Sequence, residues 1–235
     1  MPVASGTPQA ATTAGRGNAS FNAAAEMPTI DLLADDQDDF APVAAGVITA
    51  GYGITEHTDI EASAEAALYF FLVPLPTGGS IGLRHHLVHA DTYDVGIAAR
   101  VGGVTVDDGD AGSASAVYGA ASVVGQGAFG TFRPLVSGQL MPTMIDQQLG
   151  TSSDGSSTGL VASATVGLMF QVGQFQIGPY LTGTAFSSDA VERNGLVSGG
   201  LSFAYRPDRH AAAVVVPAAA PAPPSPASSG LPPTR

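Results

Sequence analysis

Three histidines lie close together in the first half of the chain, at His85, His86 and His89. Imidazole nitrogens bind Zn²⁺ and other transition ions, so this cluster raises the question of a metal site. The surrounding residues alternate as in a β-strand, and this alternation turns His85 and His86 to opposite faces. Because no neighbouring Asp or Glu completes a recognisable ligand spacing, the sequence predicts neither a metal site nor a cofactor.

Two acidic runs, at residues 35–39 and 107–110, carry the carboxylate oxygens that Ca²⁺ prefers. Neither run matches the EF-hand loop, in which a Glu follows the glycine by six residues, because Ser115 stands at that position after Gly109. We therefore interpret both runs as solvated acidic loops. Such loops would contact anionic lipopolysaccharide through bridging divalent cations.

Six charged or ionisable residues lie in neighbouring segments, on the faces opposite to the apolar side chains. They are Glu61, Glu65, Arg84, His86, Asp94 and Arg100. Antiparallel pairing is expected to bring Glu65 opposite Arg84 or His86, and His86 opposite Asp94. Buried charges need partners, so we predict a polar network that fills and rigidifies the interior of a narrow barrel. The alternative function for the same residues is a narrow path for protons or small solutes.

These residues are positioned by a series of segments in which polar and apolar residues alternate with the period of a β-strand. Ten such segments, separated by turn-forming residues, span residues 17–27, 42–55, 58–72, 80–89, 92–104, 115–125, 128–140, 159–172, 174–186 and 195–206. An even number of strands is the rule for single-chain bacterial barrels. The first segment has the weakest pattern, and without it the count falls to nine. Eight strands are the fallback.

The connections between these segments alternate between short and long. Short connections lie at residues 56–57, 90–91, 126–127 and 173, and long ones at residues 28–41, 73–79, 105–114, 141–158 and 187–194. Outer-membrane barrels have short periplasmic turns and longer extracellular loops. A soluble barrel has no reason to keep all its long loops at one end. The pattern therefore favours a transmembrane barrel that displays acidic and polar loops.

In the clearest segments one face is apolar and holds no charge. Ile60, Ala62 and Ala64 share such a face in the third segment, and Glu61 and Glu65 lie on the other. This arrangement suits lipid outside and a polar interior. The alternative is a soluble lipocalin-like barrel, in which the apolar side chains would face inward and form a core that binds an apolar ligand.

Most aromatic residues on the apolar faces lie near the short-turn ends of the segments. They are Tyr52, Tyr93, Phe132, Phe170, Phe175, Phe203 and Tyr205. Aromatic rings gather at the membrane interface in transmembrane barrels. The short-turn end is therefore predicted to lie at one interface, with Phe70 and Phe186 at the opposite rim.

The composition agrees with a membrane-embedded wall. Only 12% of the 235 residues are charged, whereas soluble proteins carry about a quarter. No apolar run approaches the roughly 18 residues of a transmembrane helix. The net charge of −12 excludes the basic surface that nucleic-acid binding requires. The first residues lack the basic start and apolar core of a signal peptide, so we expect that a leader was removed from this sequence.

The last apolar run, at residues 196–206, alternates over its full length. Its residues Ser198, Gly200, Phe203 and Tyr205 resemble the terminal-strand signal of bacterial outer-membrane β-barrels, which the barrel assembly machinery reads. The resemblance implies an all-β protein, folded as a closed antiparallel up-and-down transmembrane β-barrel in the bacterial outer membrane. It also implies contacts with outer-membrane lipid, with lipopolysaccharide and with the assembly machinery.

The barrel is flanked by segments without alternation. We interpret residues 1–16 as a flexible N-terminal lead, residues 17–206 as the barrel and residues 207–235 as a disordered tail rich in Pro and Ala. The tail resembles the hinge that joins a small barrel to a peptidoglycan-binding domain in the outer-membrane protein A class. No such domain follows in this sequence, so peptidoglycan binding is not carried over. The two alternatives for the tail are contact with a periplasmic partner and a simply disordered segment.

The expected function of the protein is structural or surface-interacting, and the alternative is a small-solute channel through the interior. Ten-stranded outer-membrane proteases form a family that uses acidic residues and a histidine at the extracellular rim. Here His57 and His89 are expected at short turns, which lie at the opposite end. We therefore predict that the protein is not an enzyme.

Overall fold

A computed structural model describes residues 10–31, 44–69, 73–107, 113–149, 153–188 and 191–207. They form ten β-strands: β1 (Ala19–Asp31), β2 (Ala44–Gly53), β3 (Thr58–Tyr69), β4 (Val73–His89), β5 (Tyr93–Asp107), β6 (Ser113–Gly127), β7 (Phe132–Leu149), β8 (Ser153–Val172), β9 (Phe175–Ser188) and β10 (Val191–Tyr205). Consecutive strands pair antiparallel, and β1 pairs with β10, so the sheet closes. The predicted all-β, ten-stranded, up-and-down barrel is confirmed, and the eight-stranded fallback is wrong. No helix among the described residues is long and apolar enough to cross a membrane.

The two faces of the wall differ as the alternation predicts. Val101, Val166 and Leu201 point outward and expose 59%, 56% and 61% of their surface. Thr165 and Thr182 are almost fully buried, and their hydroxyls lie 2.8 Å apart in a hydrogen bond. The wall is therefore apolar outside and polar inside, the inverse of a soluble barrel.

The strands extend further than predicted at the end away from the short turns. β4 already begins at Val73, β7 continues through Pro142 to Leu149, and β8 begins at Ser153. Sequence reasoning assigned these stretches to loops because Pro, Gly and Ser signal turns. Paired neighbours nevertheless hold them in the ladder, since a proline removes only its own donor. The predicted loop residues 73–79, 105–107, 113–114, 141–149, 153–158, 187–188 and 191–194 all lie in strands, so four of the five predicted long loops are largely strand. The acidic run at residues 35–39 and most of the run at 107–110 lie outside the described residues.

The connections at the other end are short, as predicted, at residues 54–57, 90–92, 128–131 and 173–174. Gly130 and Gly173 adopt φ values of 63° and 59° in two of these turns. Side chains other than glycine rarely adopt this left-handed conformation, so glycine permits the tight reversal.

An aromatic rim surrounds this short-turn end. The rings of Phe132 and Phe170 lie 5.4 Å apart between centroids, and Phe175 lies 5.5 Å from Phe203 and 5.4 Å from Tyr205. Tyr52 and Tyr93, also predicted there, are each about half exposed on the outer face, at 52% and 50%. The prediction for the opposite rim is wrong for Phe186, which packs inside the barrel against the cluster of Tyr118 and Met141. Phe70 lies outside the described residues.

Candidate functional site: the interior of the barrel

The short-turn end of the interior is organised around Arg84 of β4, which is 3% exposed. Its Nη2 atom lies 2.9 Å from Oε1 and 3.1 Å from Oε2 of Glu61 on β3. The register of β3 and β4 places Asp59 opposite Arg84. The predicted pairing of Glu65 with Arg84 is therefore wrong, and the guanidinium instead reaches diagonally to Glu61.

The residues before β1 enter this end of the barrel. Arg84 Nη1 donates a 2.7 Å hydrogen bond to the carbonyl oxygen of Ala10, and the backbone N–H of Ala14 donates one of 2.7 Å to Asp59 Oδ2. Sequence reasoning treated residues 1–16 as a flexible lead. In the structure, residues 10–15 are buried or half-buried. We call residues 10–15 the N-terminal segment.

The N-terminal segment crosses the interior and packs on the far wall. Ala11 is fully buried and forms a cluster with Val124 of β6 and Leu135 of β7. Gly96 of β5 makes room for it, because a Cβ atom there would lie 2.3 Å from the carbonyl oxygen of Ala11. The N-terminal segment thus lies across one end of the barrel. Its residues are small and do not alternate, so the sequence holds no recognisable signal for this role.

A second group of contacts crosses the middle of the interior. The Tyr118 hydroxyl of β6 donates a 2.6 Å hydrogen bond to Glu65 on β3, and both residues are at most 5% exposed. Arg100 Nη2 donates a 3.1 Å hydrogen bond to Gln139. Gly102 accommodates the tyrosine ring, because a Cβ there would lie 2.6 Å from its Cζ atom. Glu65 therefore pairs across the interior and not with the adjacent strand β4.

A third group joins β1, β9 and β10 at the seam where the barrel closes. Glu26 of β1 accepts hydrogen bonds from the Ser198 hydroxyl and, at 3.3 Å, from the Tyr180 hydroxyl. Gly200, which is paired with Glu26, leaves space for the Tyr180 ring: a Cβ there would lie 2.6 Å from Cζ. Two residues of the predicted terminal-strand signal, Ser198 and Gly200, thus face the interior and hold the seam.

A fourth group lies at the short-turn rim, where β4 and β5 meet. Asp94 Oδ1 lies 3.1 Å from His86 Nε2 and 2.6 Å from His89 Nδ1. A β-bulge between His86 and Val88 turns both Leu87 and Val88 outward, at 53% and 41% exposure. The bulge brings His89 to the same side as His86, which strict alternation does not allow.

His85 points outward, as predicted, and its Nδ1 atom lies 3.0 Å from the Thr58 hydroxyl. Sequence reasoning predicted that His86 meets Asp94 but saw no metal-ligand spacing. It assumed an unbroken strand and missed the bulge, which adds His89 to the pair.

A serine-hydrolase pattern, Gly-x-Ser-x-Gly, occurs at residues 155–159 with Ser157 at its centre. In hydrolases this pattern forms a sharp turn between a strand and a helix. Here it lies within β8, where Ser157 pairs with Ile145 of β7. The local structure is a regular strand, so the pattern does not form the elbow that activates a serine.

The six predicted interior residues all face the inside of the barrel, but in several separate groups. Two of the groups are pairs of predicted residues, Glu61 with Arg84 and His86 with Asp94. Glu65 and Arg100 instead bind residues that were not predicted, Tyr118 and Gln139. Sequence reasoning missed Glu26, Tyr118 and Tyr180 as members of the interior network. Their only signal was a polar residue at an inward position of an alternating segment.

No protein-family model matches this chain, and no curated protein matches it. Among solved structures, it is similar to the outer membrane protease OmpT from Escherichia coli, with 8% identity, coverage of 80% of this chain and 93% of that one, and a TM-score of 0.41. It is similar to Neisserial surface protein A, with 14% identity, coverage of 78% and 94%, and a TM-score of 0.36. For the N-terminal β-barrel domain of Pseudomonas aeruginosa OprF the values are 16% identity, 81% and 99% coverage, and a TM-score of 0.32. These structures are bacterial outer-membrane β-barrels.

Proposed function

We propose that the protein is an outer-membrane β-barrel whose interior is closed, and that it serves a structural or surface-interaction role. The observation that carries this proposal is the inverted wall. Thirty large apolar side chains of the described residues are exposed, whereas Glu26, Asp59, Glu61, Glu65 and Arg84 are buried inside. Burying one large apolar side chain is worth about 1.5–3 kcal/mol, so an outer wall of this kind requires lipid.

The contents of the interior favour a closed barrel over a small-solute channel. A buried hydrogen bond joins β6 to β3 across the interior, and another joins β9 to β1 at the seam. The N-terminal segment, held by Arg84, lies across the short-turn end. A ten-stranded barrel encloses little more than the volume that its own side chains fill. A soluble lipocalin-like binder is disfavoured because its ligand cavity would need inward Leu and Phe where Glu61, Glu65 and Arg84 lie.

The surface-interaction role belongs to the strand hairpins at the end away from the short turns. The proposed partners of the wall are outer-membrane lipid and lipopolysaccharide, and that of the terminal strand is the barrel assembly machinery. A periplasmic partner is proposed for the tail at residues 207–235. The proposed role is non-enzymatic. In its support, His57, His86 and His89 lie beside the short turns at residues 54–57 and 90–92.

Conductance in planar bilayers tests the closed interior. The full-length chain is expected to give no discrete conductance steps. Deletion of residues 2–15 removes Ala10 and Ala14, which bind Arg84 and Asp59, and is expected to produce transient openings.

Deletion of residues 208–235 is the control for shortening the chain and should leave the barrel closed. Steady conductance of the full-length chain, altered by Glu65→Ala, would contradict the proposal and favour the channel.

A further inference from the structure

A cluster of metal-ligating side chains lies at the β4–β5 hairpin, apart from the groups that close the interior. The ligand atoms of His86, His89 and Asp94 all lie within 4.8 Å of one another. The His86 side chain is 1% exposed and Asp94 14%, whereas His89 is 62% exposed. The cluster is thus anchored in the wall on one side and reachable from water on the other.

We propose that His86, His89 and Asp94 bind a divalent transition metal ion, with Zn²⁺ the best match. Two imidazole nitrogens and one carboxylate oxygen are ligands that Zn²⁺ takes, at about 2.0–2.2 Å. Ca²⁺ and Mg²⁺ prefer sites built of oxygen atoms alone. Three protein ligands leave one tetrahedral position open for water. The ring of His57 lies nearby, with its centroid 6.3 Å from that of His86.

The geometry requires only a small movement to receive the ion. Asp94 Oδ1 now lies between the two nitrogens, at 3.1 Å from His86 and 2.6 Å from His89. In a tetrahedral site with bonds of about 2.0–2.2 Å, neighbouring ligand atoms are roughly 3.3–3.5 Å apart. The His89 nitrogen therefore needs to move away from Asp94 by less than about 1 Å, and the two histidine nitrogens, which lie within 4.8 Å, need to approach each other by at most about 1.5 Å. The exposed side chain of His89 permits this movement.

The β-bulge between His86 and Val88 is the structural reason that the site exists. In a regular strand His86 and His89 would face opposite sides, because an odd number of positions separates them. The inserted residue restores them to one side, where His89 is paired with Asp94 of β5 and His86 with Gly96. An ion bound there would fasten β4 to β5 directly before their turn, and would raise the thermal stability of the folded chain by binding only that state.

Metal titration of the full chain in detergent micelles tests this proposal. The protein is prepared without a histidine tag, treated with chelator and titrated with Co²⁺, whose visible absorption distinguishes tetrahedral from octahedral coordination. We expect one equivalent per chain with a tetrahedral spectrum, displacement of Co²⁺ by Zn²⁺, and a rise in Tm when Zn²⁺ is present.

Two variants and one control locate the site. His89→Gln and Asp94→Asn are each expected to weaken binding at least about tenfold, a loss seen even when only a residue supporting a metal ligand is changed. His85→Gln, one residue before His86 but outward, should bind as the unchanged chain does. Heat-modifiable gel mobility verifies that each variant is folded.

Three results would overturn the proposal. One is a folded His89→Gln or Asp94→Asn variant that binds Co²⁺ as tightly as the unchanged chain. Another is an equal loss in His85→Gln. The third is binding with only the weak spectrum of octahedral Co²⁺, which would place the ion on the acidic surface.

Discussion

Replacing Gly200 by alanine is expected to prevent stable closure of the barrel. A Cβ atom at this position would lie 2.3 Å from the carbonyl oxygen of Ala25 and 2.6 Å from the ring and hydroxyl of Tyr180. Overpacking typically costs about 1–3 kcal/mol, and the upper part of that range or more applies here because the carbonyl belongs to the backbone of β1. The clash also displaces Tyr180 from the carboxylate of Glu26, a residue that is 7% exposed.

The loss is measured by urea unfolding of the refolded chain in lipid vesicles and by the fraction that shows heat-modifiable mobility. Gly183→Ala on the neighbouring strand β9 is the matched control, since its Cβ would meet no atom within 4 Å. Equal stability of the Gly200→Ala and Gly183→Ala variants would contradict the assigned packing of the seam.

Replacing Arg84 by methionine is the second substitution with a large expected effect. It leaves Glu61 buried without its cation and removes the hydrogen bond to the Ala10 carbonyl. Removing one partner of a buried ion pair costs about 3–5 kcal/mol. We expect a loss of stability in this range and release of the N-terminal segment, measured by urea unfolding and by faster tryptic cleavage at Arg16, which is exposed.

The double change of Arg84→Met with Glu61→Gln should recover part of the stability, because it removes the unpaired charge. Arg133→Met serves as the control: this arginine is only half-buried, and its Nε donates to Gln171 at 2.6 Å. A loss of stability in Arg84→Met no greater than in Arg133→Met would show that the buried pair does not hold this end of the barrel.

The fold was predictable because a β-barrel wall imposes one short-range rule on every strand. Val166 and Thr165 differ in exposure because neighbouring positions of a strand face opposite sides. The alternation of apolar and polar residues over positions 160–170 shows this without knowledge of the paired strands. The tight turn at Gly173 was predicted from the same local signal, whereas the turn predicted at residues 126–127 lies at residues 128–131. Strand ends were less predictable, since proline and serine signal turns whether or not a partner strand holds them, as at Pro142.

The interior contacts depend on distances in sequence that no local pattern encodes. Arg84 and Ala10 are 74 positions apart, and Tyr118 and Glu65 are 53 apart. Alternation indicated that Glu65 points inward, but which side chain it meets depends on the tilt and register of strands that are not adjacent. The approach of His89 to His86 depends on one inserted residue, which shifts the pattern by a single position.

The central claim, that the outer wall faces lipid and the inner wall does not, is tested most directly by tryptophan fluorescence. The chain has no Trp, so single substitutions report without background. Val166→Trp places the probe outward and Tyr118→Trp places it inward, at positions that are 56% and 4% exposed in the isolated barrel. In vesicles of lipids brominated on their acyl chains, strong quenching of Trp at position 166 and much weaker quenching at position 118 are predicted. Unquenched fluorescence at position 166 in the folded protein would contradict a membrane-embedded wall.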